Sequence, residues 1–101
     1  MLTSKQRAQL RGIASRYDTT LHVGKSGITD TLIAQMDESL VSRELVKGKV
    51  LENAPVSPRE ACDALAKACR AEQVQVIGSK FVLYRPNLEI PKDKRIPLVK
   101  D

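Results

Sequence analysis

The chain has 101 residues, which fits one domain with one modest core. Only 3% of its residues are aromatic, so Leu, Ile, Val and Ala must fill that core, and no apolar run approaches the roughly 20 residues that span a bilayer. A net charge of +5 points to a polyanionic partner; neither a membrane nor a small-molecule substrate is expected.

The charge is uneven. Residues 1–17 carry Lys5, Arg7, Arg11 and Arg16 and no acid, whereas residues 30–44 carry Asp30, Asp37, Glu38 and Glu44 against Arg43 alone. Met1-Leu2 leads directly into the charged segment without a secretory pattern, so a cytoplasmic location is expected.

In chain order, a first helix is predicted over residues 4–16. Thr3 and Gln6 have capping-box spacing, and Leu10, Ile13, Ala14 and Tyr17 form an apolar stripe. Arg7 and Arg11, four apart, share the flank beside that stripe. A strand follows over 19–23, then the G-x-x-G loop Gly24-Lys25-Ser26-Gly27. A helix over 30–42 starts behind the loop, with Thr29 as its cap.

Two glycines let another chain approach closely. A helix N-terminus offers free N–H groups and a positive dipole end. Lys25 adds a full charge, and together they suit a phosphate of a nucleic-acid backbone. The loop is not a nucleotide-binding P-loop, because Thr19 stands where that motif needs its leading glycine. His22, before the loop, could donate to a phosphate or stack on a base, although a strand histidine is more often half-buried scaffold.

A second strand is predicted over 45–51, with Gly48 marking a bulge or a close backbone approach. Lys47 and Lys49 alternate onto one of its faces. Ser57-Pro58-Arg59-Glu60 is a strong helix start, and that helix runs to about Ala71. It buries Cys62 and Cys69, whose Cα atoms would lie about 10 Å apart, too far for a disulfide. No ligand set for a metal or cofactor is evident.

Strands over 73–77 and 80–85 are joined by Gly78-Ser79. The hairpin register sets Val76 against Phe81 and Val74 against Leu83 on an apolar face. It sets Lys80 and Tyr84 on the opposite face, with Arg85 after them. With Lys47 and Lys49 they form a second candidate phosphate-contacting surface, with Tyr84 available for stacking, although Lys49 reads rather as a solvated lysine that discourages unwanted strand pairing. Pro86 ends the domain at residues 1–86, and residues 87–101 are expected to be a loosely held tail. The order α-β-α-β-α-β-β predicts a two-layer α/β fold with a mixed four-stranded sheet. No nucleophile has a base partner, so no enzyme is expected.

Five stretches in this order resemble one family, the YhbY-type CRM (chloroplast RNA splicing and ribosome maturation) domain. They are Leu2–Arg7 with Leu10-Arg11-Gly12; Val23–Thr29; Glu44–Lys47; Val74–Gly78; and Val82–Pro86. The resemblance implies a fold like the C-terminal domain of translation initiation factor three. It also implies association with precursors of the large ribosomal subunit. By position it makes Lys5, Arg11, Gly24, Lys25, Gly27 and Arg85 candidates for RNA contact. With the charge pattern, the full candidate set is Lys5, Arg7, Arg11, Gly24, Lys25, Ser26, Gly27, Lys47, Lys80 and Arg85. The expected function is non-catalytic RNA binding in large-subunit assembly. The alternatives are a DNA-binding chromatin-type protein and a module that docks on a ribosomal protein.

Overall fold

The computed structural model describes residues 2–91, 93 and 95–99. Helix α1 (Ser4–Ala14) starts at the predicted capping box: the Thr3 hydroxyl accepts from Gln6 N and the Gln6 side chain accepts from Thr3 N. Strand β1 (Leu21–Val23) is followed by the glycine loop and α2 (Asp30–Arg43), capped by Thr29. Strand β2 (Leu45–Val50), α3 (Pro58–Cys69), β3 (Glu72–Ile77) and β4 (Lys80–Tyr84) complete the chain order. Ser57 and Glu60 close the second capping box, and Arg70 ends α3 in the left-handed region. No helix among the described residues is long and apolar enough to cross a membrane.

The four strands form one mixed sheet in the order β1-β2-β4-β3. β1 and β2 are parallel, as their helical crossover requires, and the other two pairings are antiparallel. β4 lies between β2 and β3 because Phe81-Val82-Leu83-Tyr84 is a continuous apolar run, buried throughout. Such a run needs cover on both faces, which only an inner strand receives. β3, with Glu72, Gln73 and Gln75, takes the edge.

α2 and α3 cover one face and share a core with Val46, Phe81 and Leu83. That sheet-and-helix body is the expected two-layer arrangement. α1 adds partial cover on the other face, where Leu10 and Ala14 meet Leu45, Val74, Val82 and Tyr84. Tyr84 is therefore buried and cannot serve as the exposed stacking ring that its strand position suggested.

The hairpin register holds at Val76–Phe81 and then shifts between Gln73 and Gln75. The extra residue turns Val74 toward α1, while Val76 packs against the α2–α3 core. Leu83 consequently faces Gln73 in the register, not Val74. Gly48 is not at a bulge. It pairs with Phe81, and a Cβ there would lie within 3.0 Å of three carbons of that ring.

In the tail, where composition predicts a loosely held segment, the described residues make specific bonds. Gln9 Nε2 donates to Pro97 O at 2.6 Å, and Val99 N donates to Gln9 Oε1 at 2.8 Å. Ile96 and Leu98 pack on the α1 cluster. Residues 92, 94, 100 and 101 lie outside the described residues.

Candidate nucleic-acid interface

The glycine loop is a hydrogen-bonded turn: Gly27 N donates to Gly24 O at 2.9 Å. This puts Lys25 and Ser26 at the exposed tip. The two glycines do different work. Gly27 is buried at φ +69°, and a Cβ there would sit 3.1 Å from Pro55 Cγ, so the turn itself requires glycine. Gly24 has ordinary backbone angles, and its Cβ would meet only Leu51 at 3.9 Å. Only Gly24 is left to ease approach from outside.

The helix behind the loop is a poorer anion site than its position suggests. Thr29 Oγ1 already accepts from Leu32 N at 3.1 Å, and Asp30 places a carboxylate in the first turn. Charge at this end of the molecule comes from Lys25.

A second cationic region lies between α1 and the β3 edge. Arg7, Arg11 and Arg59 surround a cleft of about 490 Å³ floored by residues 73–76, and no acidic residue lines it. Arg7 Nε donates to Gln73 O at 3.1 Å, which fixes the guanidinium against the bulge. Arg59 Nη1 donates to Gln73 Oε1 at 3.4 Å. Arg11 also borders the next depression, of about 470 Å³, with Lys47, Gln75 and Lys80. The Lys5 and Arg11 side chains are exposed and bonded to no other described residue.

Two more candidates are held by the protein itself. Lys47 Nζ donates to Ala14 O at 3.2 Å and Tyr17 O at 3.3 Å, neutralising the carbonyl end of α1. Arg85 Nη1 bonds Asp37 Oδ1 and Cys69 O, both at 2.7 Å. That ties the end of β4 to α2 and α3 on the sheet face away from α1. The geometry therefore separates Arg85 from the other cations. Lys80 stands free beside the β3–β4 turn.

A model of the CRS1/YhbY (CRM) domain matches residues 2–85. The chain belongs to this family. It is 40% identical over 89 residues to the probable RNA-binding protein YqeI of Bacillus subtilis, covering 88% of this chain and 93% of that one. It is 33% identical over 88 residues to an RNA-binding protein of Haemophilus influenzae, covering 87% and 89%. The solution structure of SAV1595 from Staphylococcus aureus, a candidate RNA-binding protein, matches at TM-score 0.77 and 42% identity. That match covers 96% of this chain and all of that one.

Within this CRM domain, sequence reasoning missed two residues. Arg59 was legible only as part of a helix start, since its place beside Arg7 depends on how α3 meets the β3 edge. Glu44 is 2% exposed at φ +64°. Its carboxylate accepts from Asn87 N at 2.9 Å and Ile96 N at 3.0 Å, and its carbonyl accepts from Arg85 N. The acid inside the CRM motif Glu44–Lys47 is thus an anchor for the tail. Burial, with the Glu44 carboxylate adding to it, raises the Tyr84 phenol above its ordinary range.

The CRM core also explains the cysteines. Cys62 and Cys69 are free and buried against α2 and the sheet. Burial, reinforced by the Asp63 charge, pushes the Cys62 thiol up to about 11, and burial also raises Cys69.

Proposed function

We propose that this protein binds RNA without transforming it and assists assembly of the large ribosomal subunit in the cytoplasm. The observation that carries this reading is the acid-free cleft where Arg7, Arg11 and Arg59 converge. Planar guanidinium groups suit bidentate contact with phosphate. The names of the CRM relatives support RNA as the polyanion. Lys25 and Ser26 at the loop tip, Gly24 beneath them, and Lys5 on α1 extend the contact. Most bonds go to the backbone, so RNA shape matters more than sequence.

The test is affinity for large-subunit ribosomal RNA as salt is varied. Log K falls with log salt at about −0.7 per phosphate neutralised for single strands and about −0.9 for duplex. A folded Lys25→Glu, Arg11→Glu double variant loses most of that affinity; unchanged binding rules the interface out. Duplex DNA competing better than ribosomal RNA at equal salt favours the DNA-binding alternative.

A further inference from the structure

α1 covers only one end of its sheet face. Lys47 marks the limit of that cover, bonded to the last carbonyl of the helix, Ala14 O, and to Tyr17 O just beyond it. Beyond it, the register places His22 beside Lys49 and Lys49 beside Lys80 across three adjacent strands. Partners in register point to the same face. Leu21, Val23, Val46 and Phe81 are buried in the α2–α3 core, so the intervening row faces the α1 side. His22 and Lys80 are exposed and Lys49 is half-exposed. No side chain of the three is bonded to another described residue, and the row contains no acid.

Like charges directly opposite one another in a sheet are destabilising. Here Lys49 and Lys80 are direct partners between inner strands. Protection against stray strand pairing explains lysine on an edge strand, but neither β2 nor β4 is an edge. The row also connects two regions already described. β1 runs from His22 into the glycine loop, and Lys80 borders the depression that Arg11 shares. Phe81 and Tyr84 are buried and Tyr17 is half-buried, which leaves His22 as the exposed ring on this path.

We propose that His22, Lys49 and Lys80 form a second RNA contact, continuous with the loop and the arginine cleft. The two ammonium groups take backbone phosphates, and the imidazole offers a face on which an unstacked base lies. The row spans two strand spacings, about 10 Å, so the RNA path crosses the strands rather than following α1 alone. This rests on the RNA-binding reading above.

The experiment measures binding of large-subunit ribosomal RNA to the full chain across a salt series. In Lys49→Gln, Lys80→Gln the salt slope shrinks by about 1.4 for single strands or about 1.8 for duplex. The thermal midpoint stays level or rises, because a like-charge pair is gone. His22→Ala lowers affinity about fivefold or more, whereas His22→Tyr restores it. If Lys25→Glu, Arg11→Glu weakens binding while the lysine double variant keeps wild-type slope and affinity, the row is overturned and the main interface stands. If neither pair changes binding, both fall. If His22→Ala binds as the wild type does, the stacking role is overturned.

Discussion

Arg85 and Asp37 form a 2.7 Å ion pair that joins the end of β4 to α2, on the sheet face opposite α1. Arg85 is 24% exposed, and the same nitrogen reaches the Cys69 carbonyl. Arg85→Ala therefore lowers stability by about 1–2 kcal/mol, discounted for the half-exposed Asp37. RNA affinity stays within twofold of wild type. A denaturant melt and a binding isotherm on the same variant separate a structural clamp from an RNA contact.

The glycines of the loop separate in the same way. Gly27→Ala forces a side chain into the left-handed region and against Pro55, costing about 1–2 kcal/mol or more. Gly24→Ala leaves stability within about 0.5 kcal/mol and acts on RNA affinity alone. Thermal melts beside filter binding check both arms.

Gly48→Ala drives a methyl group into the Phe81 ring. The expected loss is about 1–3 kcal/mol, although alanine is the better strand residue in isolation. Pairing it with Phe81→Leu relieves the clash, so the double variant is more stable than the sum of the single losses predicts. A double-mutant cycle by urea unfolding measures that coupling.

Glu44→Gln removes the charge from the acceptors of Asn87 N and Ile96 N. Charge-assisted bonds to a buried carboxylate carry more energy than neutral ones, so the tail opens more often. Trypsin then cleaves at Arg95 faster than in the wild type, and the Ile96 amide exchanges sooner. Equal cleavage rates in the two proteins would show that the carboxylate does not hold the tail.

With its thiol pushed up to about 11, Cys62 holds almost no thiolate at neutral pH. Alkylating reagents at pH 8 label it at the rate of unfolding, and the rate rises with urea concentration. Rapid labelling of the folded protein would contradict its place in the core.

Much of the fold was legible because local signals agreed. The Thr3–Gln6 and Ser57–Glu60 boxes marked two helix starts, and the strand–helix–strand order of β1, α2 and β2 marked the parallel pair. The family motifs identified the whole. What escaped depends on a third dimension. Tyr84 was placed on the right face but read as exposed, because nothing in the hairpin's own spacing shows that α1 covers that face. One inserted residue at Gln73–Gln75 separately breaks strict alternation in β3 and turns Val74 to the same side. The unbroken run Phe81–Tyr84 carried the missing hint, since burial on both faces requires cover on both.

The candidate site was legible as charge but not as arrangement. Lys25, Arg7 and Arg11 stand where a ligand can reach them. Lys47 and Arg85 have the same chemistry but are engaged by carbonyls and a carboxylate from other elements, which no spacing rule foretells. Arg59 joined the cleft for the converse reason, being far in sequence and near in space.

The bulge in β3 has one more consequence. Arg7 occupies the Gln73 carbonyl on that margin, and the opposite margin, β1, is only three residues long. Neither rim of the sheet is a good template for a visiting strand. Concentrated solutions should resist growth into fibrils, and whatever this domain meets must come to rest across its broad surface, not be stitched onto its side.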